Sequence, residues 1–413
     1  MTTATAPTGT TTPTRAARRR RSGLRRGQNA TGWMFVAPML VVLGLFLVVP
    51  VLMAAWVSLS DWSGRGSPLS SDVGFVGTEN YTDLLVGGGL ATKDFGTALR
   101  NNAYYVLLVV PLQTALSLFL ASLVNRKLLR GRGLFRTAFY FPSVTSTVAI
   151  TVLWLFLFSA SGAVNSVLAW FGVNGPNWFN DPRGVLQLLL GWLGVDAAPS
   201  PLSGHGFLGI TWWDWLAGPS VAMTAYILMA IFTTSGTFML LFLAALQAIS
   251  GDVEEAAIMD GTSPWQRFRY VTLPMLRPTV FTVVTLGLIG AWQVFDQIYT
   301  GTQGGPAKTT LTPAYLSYNS AFNNQQWGRG AAIAFLLFAI VIVFALVQRW
   351  LLRERAVPRR KRWNVVGAPP ASATAAPGAP GALGPSGERS PSREGDTPHG
   401  PGTSGPTARG GAR

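Results

Sequence analysis

Glu254-Glu255-Ala256-Ala257-Ile258-Met259-Asp260-Gly261, running on through Trp265-Gln266-Arg267-Phe268 to Leu273-Pro274, is a charged island between two long apolar segments. Residues Glu254 to Asp260 are good helix formers behind an acidic first turn, which suits the positive end of a helix dipole. Asp252 occupies the place of an N-cap, and Glu255 three residues on predicts a capping box. Gly261 is placed to end that helix, and Pro264 to open a second one as its first residue. Trp265, Phe268 and Val271, at i, i+3 and i+6, give the second helix one apolar face, and Pro274 and Pro278 limit how far it runs. The stretch predicts a helix–turn–helix bracket between two membrane spans, offering acidic and aromatic groups to a partner.

The composition makes the chain a polytopic membrane protein. Of 413 residues, 49% are hydrophobic and 12% charged, against about a quarter charged in soluble domains. There is no cysteine, and His205 and His399 are the only histidines. Disulfides, thiolate metal sites, cysteine nucleophiles and histidine-rich metal centres are thereby excluded, and no metal or cofactor is expected. The net charge of +15 gathers in the N-terminal tail and in short runs beside apolar segments. That is the pattern of membrane topology and not of nucleic-acid binding.

Residues 1–31 are Thr/Pro-rich, then Arg-rich, without apolar periodicity, and are read as a disordered basic tail. A signal peptide is the rival reading of this basic-then-apolar start. The apolar run 33–57 is long for a signal core and lacks a clean small-residue cleavage site, so it is read as the first span. Five more follow, at 103–124, 137–158, 221–246, 279–299 and 330–352. Each is near the roughly 20 apolar residues a bilayer requires, and Pro111, Pro142 and Gly287 inside them are tolerated in membrane helices. The predicted organisation is a transmembrane domain at 32–352, with the bracket at 250–278, followed at 353–413 by a basic, then Pro/Gly/Ala-rich disordered tail. Arg126, Lys127, Arg130, Arg132 and Arg136 follow the second span, Arg267, Arg269 and Arg277 lie in the bracket, and Arg353, Arg355, Arg359, Arg360, Lys361 and Arg362 follow the last span. The long loop 160–219 carries Arg183 alone. By the positive-inside tendency, bracket and both tails face the cytoplasm of a multi-pass protein of the cell membrane. That long loop also holds Trp170, Trp178, Trp192, Trp212, Trp213 and Trp215, read either as an interfacial belt or as a docking surface for a solute-binding protein. Its apolar run 185–195 is too short to span.

Glu255-Ala256-Ala257, Gly261 and Leu273-Pro274 resemble the EAA loop of permease subunits of binding-protein-dependent ABC importers. The longer run EAAIMDGTSPWQRFRYVTLPML is most similar to the carbohydrate-uptake, maltose-type branch, with Val271 where that family usually has Ile. The similarity extends from Gly32 to Trp350. Phe75-Val76-Gly77 and Asn80-Tyr81 resemble the first external loop of sugar permeases, and Gly304-Gly305-Pro306 the loop that closes the fifth span. The resemblance implies an all-α polytopic protein with six transmembrane helices in the type I ABC importer permease fold. It implies a second permease as heterodimer partner, a cytoplasmic ABC ATPase dimer, an extracytoplasmic solute-binding protein and a sugar substrate. It assigns coupling to the ATPase to Glu254, Glu255, Ala256, Ala257, Asp260, Gly261, Trp265 and Phe268. The chain itself is not expected to be an enzyme. Residues 301–309 look superficially like a phosphate loop, but Thr302 and Ala307 stand where glycines are required.

The expected substrate passage lies on the spans flanking the bracket. Ala230, Thr233, Thr234 and Thr237, at i, i+3, i+4 and i+7, share one face of the fourth span. Their hydroxyls either face a sugar or bond their own helix and its neighbours. On the fifth span the ungapped similarity carries sugar-facing positions onto Gly287, Ala291 and Val294. Relatives can be polar there and this chain is not, so small residues leave room for a bulky substrate. Trp292, Gln293 and Asp296 lie beside them. Asp296 is the only acid in the span, and an intramembrane carboxylate is a functional candidate. Trp292 precedes it by four and shares its face. Because the run 295–299 recurs in sugar permeases of different specificity, a structural or gating role is favoured for Asp296. No Arg or Lys lies in either span, which favours a neutral saccharide over the glycerol phosphate ester carried by very similar permeases. A secondary transporter should show repeated halves and more intramembrane charge. A membrane hydrolase should show a nucleophile–base or metal constellation, against which the scarcity of His and Cys argues.

Overall fold

A computed structural model describes residues 31–126, 131–194, 202 and 204–351 of the chain. Both predicted tails, apart from Thr31, lie outside these residues, as do Lys127 and Arg130. The helices are α1 Thr31–Ser58, α2 Leu90–Val124, α3 Arg132–Val144, α4 Thr147–Leu157, α5 Val221–Gln247, α6 Gly251–Met259, α7 Pro264–Arg267, α8 Arg277–Trp292, α9 Asp296–Thr300 and α10 Trp327–Leu351, with shorter turns between. Among the described residues, α1, α2, α5, α8 with α9, and α10 are each long and apolar enough to cross a membrane, and α3 with α4 qualifies as a bent pair.

α5 is the centre. It is apolar all round, as a helix packed on several sides must be, and buries Met223, Tyr226, Met229, Phe238, Met239 and Phe242. α2 and α3 pack along it and α8 crosses between α2 and α10. Lipid gives helices no hydrophobic reason to associate, so close approach at small residues and interhelical hydrogen bonds, worth about 0.6–2 kcal/mol each, carry the packing. Both are present. Gly236 admits α3, and Gly328 on α10 admits the end of α1 at the Ser60 carbonyl. Ser117 Oγ donates to the Ser235 carbonyl at 3.0 Å, Trp154 Nε1 to the Ala225 carbonyl at 3.2 Å, and Gln348 Nε2 to Thr285 Oγ1 at 2.8 Å. The resemblance at Asn80-Tyr81 has a structural meaning here: Asn80 Nδ2 donates to the carbonyls of Ser58 and Ser60, both at 3.0 Å, and Tyr81 Oη to Ser58 Oγ at 2.8 Å, closing the end of α1.

Two spans differ from their predicted form. The third is not one helix over 137–158. α3 and α4 meet at 98°, with Thr145 and Ser146 in non-helical conformations between them. The run Ser143-Val144-Thr145-Ser146-Thr147 explains this, because hydroxyl and β-branched side chains compete with helical backbone bonding. Ser143 Oγ donates across to the Thr233 carbonyl of α5, and Thr145 Oγ1 back to the Phe141 carbonyl. The fifth span breaks at 293–295, between α8 and α9. The freed carbonyls take partners from elsewhere: Trp292 from Asn102 Nδ2 at 3.0 Å, and Val294 from Thr312 Oγ1 at 3.1 Å. Helix α2 is longer than its predicted apolar part. Its first residues carry Asp94 and Asn101, which hold the 301–312 loop through Lys308 Nζ at 2.7 Å and through the Lys308 and Leu311 carbonyls at 2.9 and 3.0 Å. The phosphate-loop lookalike is thus a clasp, with its lysine already ion-paired.

The long loop 160–219 folds into helices Ala163–Trp170 and Val185–Trp192 and a hairpin of β1 Gly206–Phe207 with β2 Ile210–Thr211. Its tryptophans divide. Trp178 packs edge-on against Phe158 at 5.3 Å and donates to Asn165 Oδ1 at 2.9 Å, and Trp215 donates to the Phe207 carbonyl. Trp170, Trp192 and Trp212 are exposed.

Candidate functional site

The bracket is present, with its caps redistributed. Ser250, not Asp252, holds the N-cap position of α6, and no side chain caps it. Asp252 and Glu254 instead lie in the first turn, where their charge suits the helix dipole. The capping box belongs to α7: Gln266 N donates to Ser263 Oγ at 3.3 Å, and Ser263 N to Gln266 Oε1 at 2.8 Å, with Pro264 as the first residue. The spacing Ser263-x-x-Gln266 was the signal for it.

Between the two helices the chain turns as predicted at Gly261, whose φ is +74°. Gly261 N donates to the Ile258 carbonyl at 2.9 Å and Thr262 N to the Ala257 carbonyl at 3.2 Å. This pair of bonds is a Schellman termination, which needs a left-handed residue at Gly261's position. Ala257 is buried beneath the turn, while Met259 is 87% exposed and Trp265 70% exposed. Trp265 stacks on Phe268 at 5.9 Å. Val271 does not continue that face, because residues Phe268–Thr272 form a wider π turn. Glu254 approaches Arg267 at 3.9 Å, an exposed pair of little energetic weight. Among the described residues Glu255 meets no cation within ion-pair distance. Glu255, Ala256, Asp260 and Gly261 are all solvent-exposed. The bracket therefore offers an unpaired carboxylate beside uncovered methionine and indole.

On both sides the bracket continues directly into cavity walls. A half-open cavity of about 340 Å³ is lined by α2, α3, α4, α5, α8 and Gln297 of α9, within the roughly 300–1,000 Å³ of small-molecule sites. Six of the residues expected in the passage line it: Ala230, Thr233, Thr234, Thr237, Gly287 and Ala291. Trp292, Val294 and Asp296 do not. Trp292 is buried and packs on Phe344 of α10 at 5.0 Å. Val294 is buried at the span break. Asp296 is exposed in the first turn of α9, and the break at 293–295 removes the helical face it was expected to share with Trp292. The sequence reading missed Gln113 of α2, Ser143, Thr145 and Thr147 at the break in the third span, and Tyr105 and Gln297, all of which line the cavity. Amides within apolar spans were the available signal. The kink of the third span was not legible, yet it delivers those hydroxyls. Non-helical backbone at membrane depth is tolerated where it borders such a cavity. Among the described residues, none that lines the cavity carries a charge.

A ring of apolar helices around an uncharged polar cavity, with an exposed helical bracket joining two of its walls, is the architecture of a multi-pass membrane transport subunit. Residues 113–357 match the family described as binding-protein-dependent transport system inner membrane component, and the chain belongs to it. The lactose transport system permease protein of Rhizobium radiobacter is 32% identical over 340 residues, 81% of this chain and 98% of that one. The trehalose/maltose transport system permease protein of Thermococcus litoralis is 29% identical over 327 residues, 79% of this chain and 95% of that one. The fold is shared with the crystal structure of a bacterial ABC transporter involved in the import of the acidic polysaccharide alginate, at a TM-score of 0.60 and 18% identity, covering 81% of this chain and 99% of that one.

Proposed function

We propose that the chain is the transmembrane subunit of an ABC importer, that it carries a neutral sugar through the cavity between α2, α3, α4, α5 and α8, and that a separate cytoplasmic ATPase dimer drives it by engaging the bracket at 250–278. The observation that carries this reading is connectivity: α5 leads into the bracket and α8 leads out of it, and these two helices supply the six expected passage residues that line the cavity. A displacement of the bracket reaches both walls through the chain itself. An ATPase can only bias the cavity if it contacts the bracket differently in its two nucleotide states, and the uncovered Glu255, Met259 and Trp265 are the groups to make such contacts. The relatives named above are permeases for lactose and for trehalose/maltose, and the uncharged lining fits neutral sugars of that kind better than a phosphate ester. A second permease completes the passage as a heterodimer partner, a solute-binding protein delivers the sugar from outside, and both termini lie in the cytoplasm.

The test is Ala291→Trp in the reconstituted complex of both permeases, ATPase and binding protein. The indole fills the cavity, and uptake falls at least tenfold with the subunit inserted at normal abundance. Uptake at the wild-type rate would remove the cavity from the transport path.

A further inference from the structure

We propose that the two short helices of the long loop, Ala163–Trp170 and Val185–Trp192, are a bilayer anchor, lying in the outer headgroup region with Trp170-Phe171 and Trp192-Leu193 inserted toward the acyl chains. The proposal is independent of the sugar and of the ATPase. It takes from the transport reading only which face of the membrane is outside.

Both helices start at the end of a span. Gly162, just before the first, stands so close to the end of α4 that a Cβ there would lie 2.3 Å from the Leu157 carbonyl oxygen. Asn165, buried under that helix, donates to the Ala160 and Pro176 carbonyls at 3.1 and 3.0 Å and so folds the segment back on itself. Phe179, a few residues on, packs against Tyr226 of α5 at 5.1 Å. The second helix starts beside the first residues of α5. Val185 N donates to the Pro219 carbonyl at 2.9 Å, and Val221 N to the Arg183 carbonyl at 3.0 Å. Neither helix can reach further from the span ends than its own length, about 12 Å for eight residues.

The faces these helices turn outward are apolar. Ala163, Ser166, Val167 and Trp170, at i, i+3, i+4 and i+7, are exposed along one side of the first helix, opposite Asn165. On the second, Leu186, Leu189 and Trp192 are exposed. Trp170 is 81% and Trp192 86% exposed, and each is followed by another exposed apolar residue, Phe171 or Leu193. Residues 159–180 and 184–194 contain no charged side chain.

The lack of charge selects the occupant. A helix facing water carries charged and polar residues on its outer side. A solute-binding protein comes and goes, so its docking face stands in water between encounters and draws its partner by charge. These faces are built for neither. The headgroup region suits them, because an indole buries its ring at the acyl boundary and keeps its N–H at the polar level. Neither of the two indole N–H groups has an acceptor among the described residues. The apolar surface also continues that of a span. Val148, Val152 and Phe156, at i, i+4 and i+8, are exposed along α4. A Cβ on Gly162 would lie 2.6 Å from the Phe156 carbonyl oxygen, so this stripe runs to the foot of the first helix.

The chain has no cysteine, so single nitroxide labels can be placed in the full chain. It is held in nanodiscs of phosphatidylethanolamine and phosphatidylglycerol, alone and within the complete transport complex. The labels go on Phe171→Cys and Leu193→Cys. Val152→Cys on α4 is the membrane reference, and Asp72→Cys, exposed in another loop, the water reference. Collision with oxygen, set against collision with a water-soluble nickel chelate, reads depth. Both loop labels are expected about 5–10 Å into the headgroup and acyl boundary, at the same depth in the lone subunit and in the complex. A collision ratio equal to that of Asp72→Cys overturns the proposal, at either helix. So does a label shielded from both reagents only once the second permease or the binding protein has joined, which makes the face a protein contact. If a labelled variant fails to insert, native fluorescence decides. Lipids brominated near the carbonyl quench a larger fraction of the wild-type emission than of the Trp170→Ala/Trp192→Ala double variant, and equal fractions overturn the anchor.

Discussion

Gly236 of α5 meets Phe139 of α3 so closely that a Cβ on the glycine would lie 2.2 Å from the Phe139 carbonyl oxygen. The same Cβ would stand 2.6 Å from Ser143 Oγ, the hydroxyl that bridges the two helices. Gly236→Val forces α3 away from α5 and breaks that bridge. Overpacking of this kind costs about 1–3 kcal/mol, and the lost bond adds about 0.6 kcal/mol. The expected result is a lower melting temperature of the detergent-solubilised protein and faster proteolysis near 137–147. Gly290→Val, on a helix face with open space around it, is the control and leaves both unchanged.

Coupling through the bracket predicts that Glu255→Lys and Gly261→Asp each abolish most uptake without reducing membrane abundance. Glu255 is exposed and unpaired among the described residues, so its removal costs the free subunit little. If it meets a basic residue when the ATPase docks, reversing its charge costs about 2–5 kcal/mol of association. Gly261 sits at φ +74°, and a side chain there costs about 1–2 kcal/mol and distorts the Schellman turn. Co-purification of the ATPase and binding-protein-stimulated hydrolysis are the measurements. Wild-type values for both in both variants would refute the coupling role.

Topology is open to a direct check because the chain has no cysteine. T262C in the bracket should react with a membrane-impermeant maleimide only after the cells are opened. N174C, exposed in the long loop, should react in intact cells. Labelling in the reverse order would invert the arrangement inferred from the arginine distribution.

Acid should loosen the anchor of α5 in the long loop. Arg183 donates from Nη2 and Nε to the Asp181 carboxylate at 2.6 and 2.9 Å, and these bonds hold its pKa below the usual carboxylate value. The same turn receives Val221 N and Ala222 N on its carbonyls. A carboxyl with a depressed folded pKa contributes stability that is complete above its unfolded value, near about 3.9, and is lost as pH falls through the folded value. The melting-temperature gap between wild type and Asp181→Asn should be constant at neutral pH and shrink only in acid. A gap that instead widened on acidification would contradict the pairing.

Much of this was legible in the sequence. Long apolar runs, Gly261 and Pro264 each act through local rules, and local rules survive folding. The threonine face of α5 was readable because 3.6-residue periodicity holds through an unbroken helix. The same assumption failed for Asp296, where the span stops being a helix at 293–295. Gln113, Ser143 and Thr147 were not legible as a group, because their meeting depends on the 98° bend between α3 and α4 and on which helices adjoin. Those are properties of packing and not of any single window of residues.

The break at 293–295 has one mechanical consequence. Asn102 and Thr312 grip the carbonyls of Trp292 and Val294, so α8 has a fixed pivot at the end remote from the bracket. Its 16 residues make an arm of about 24 Å at 1.5 Å per residue, and a swing of about 10° displaces the Arg277 end by about 4 Å. Under the proposed coupling, Gly287, five residues from the pivot and ten from the bracket end, moves through about a third of that arc, so a large stroke at the surface becomes a small one beside the cavity.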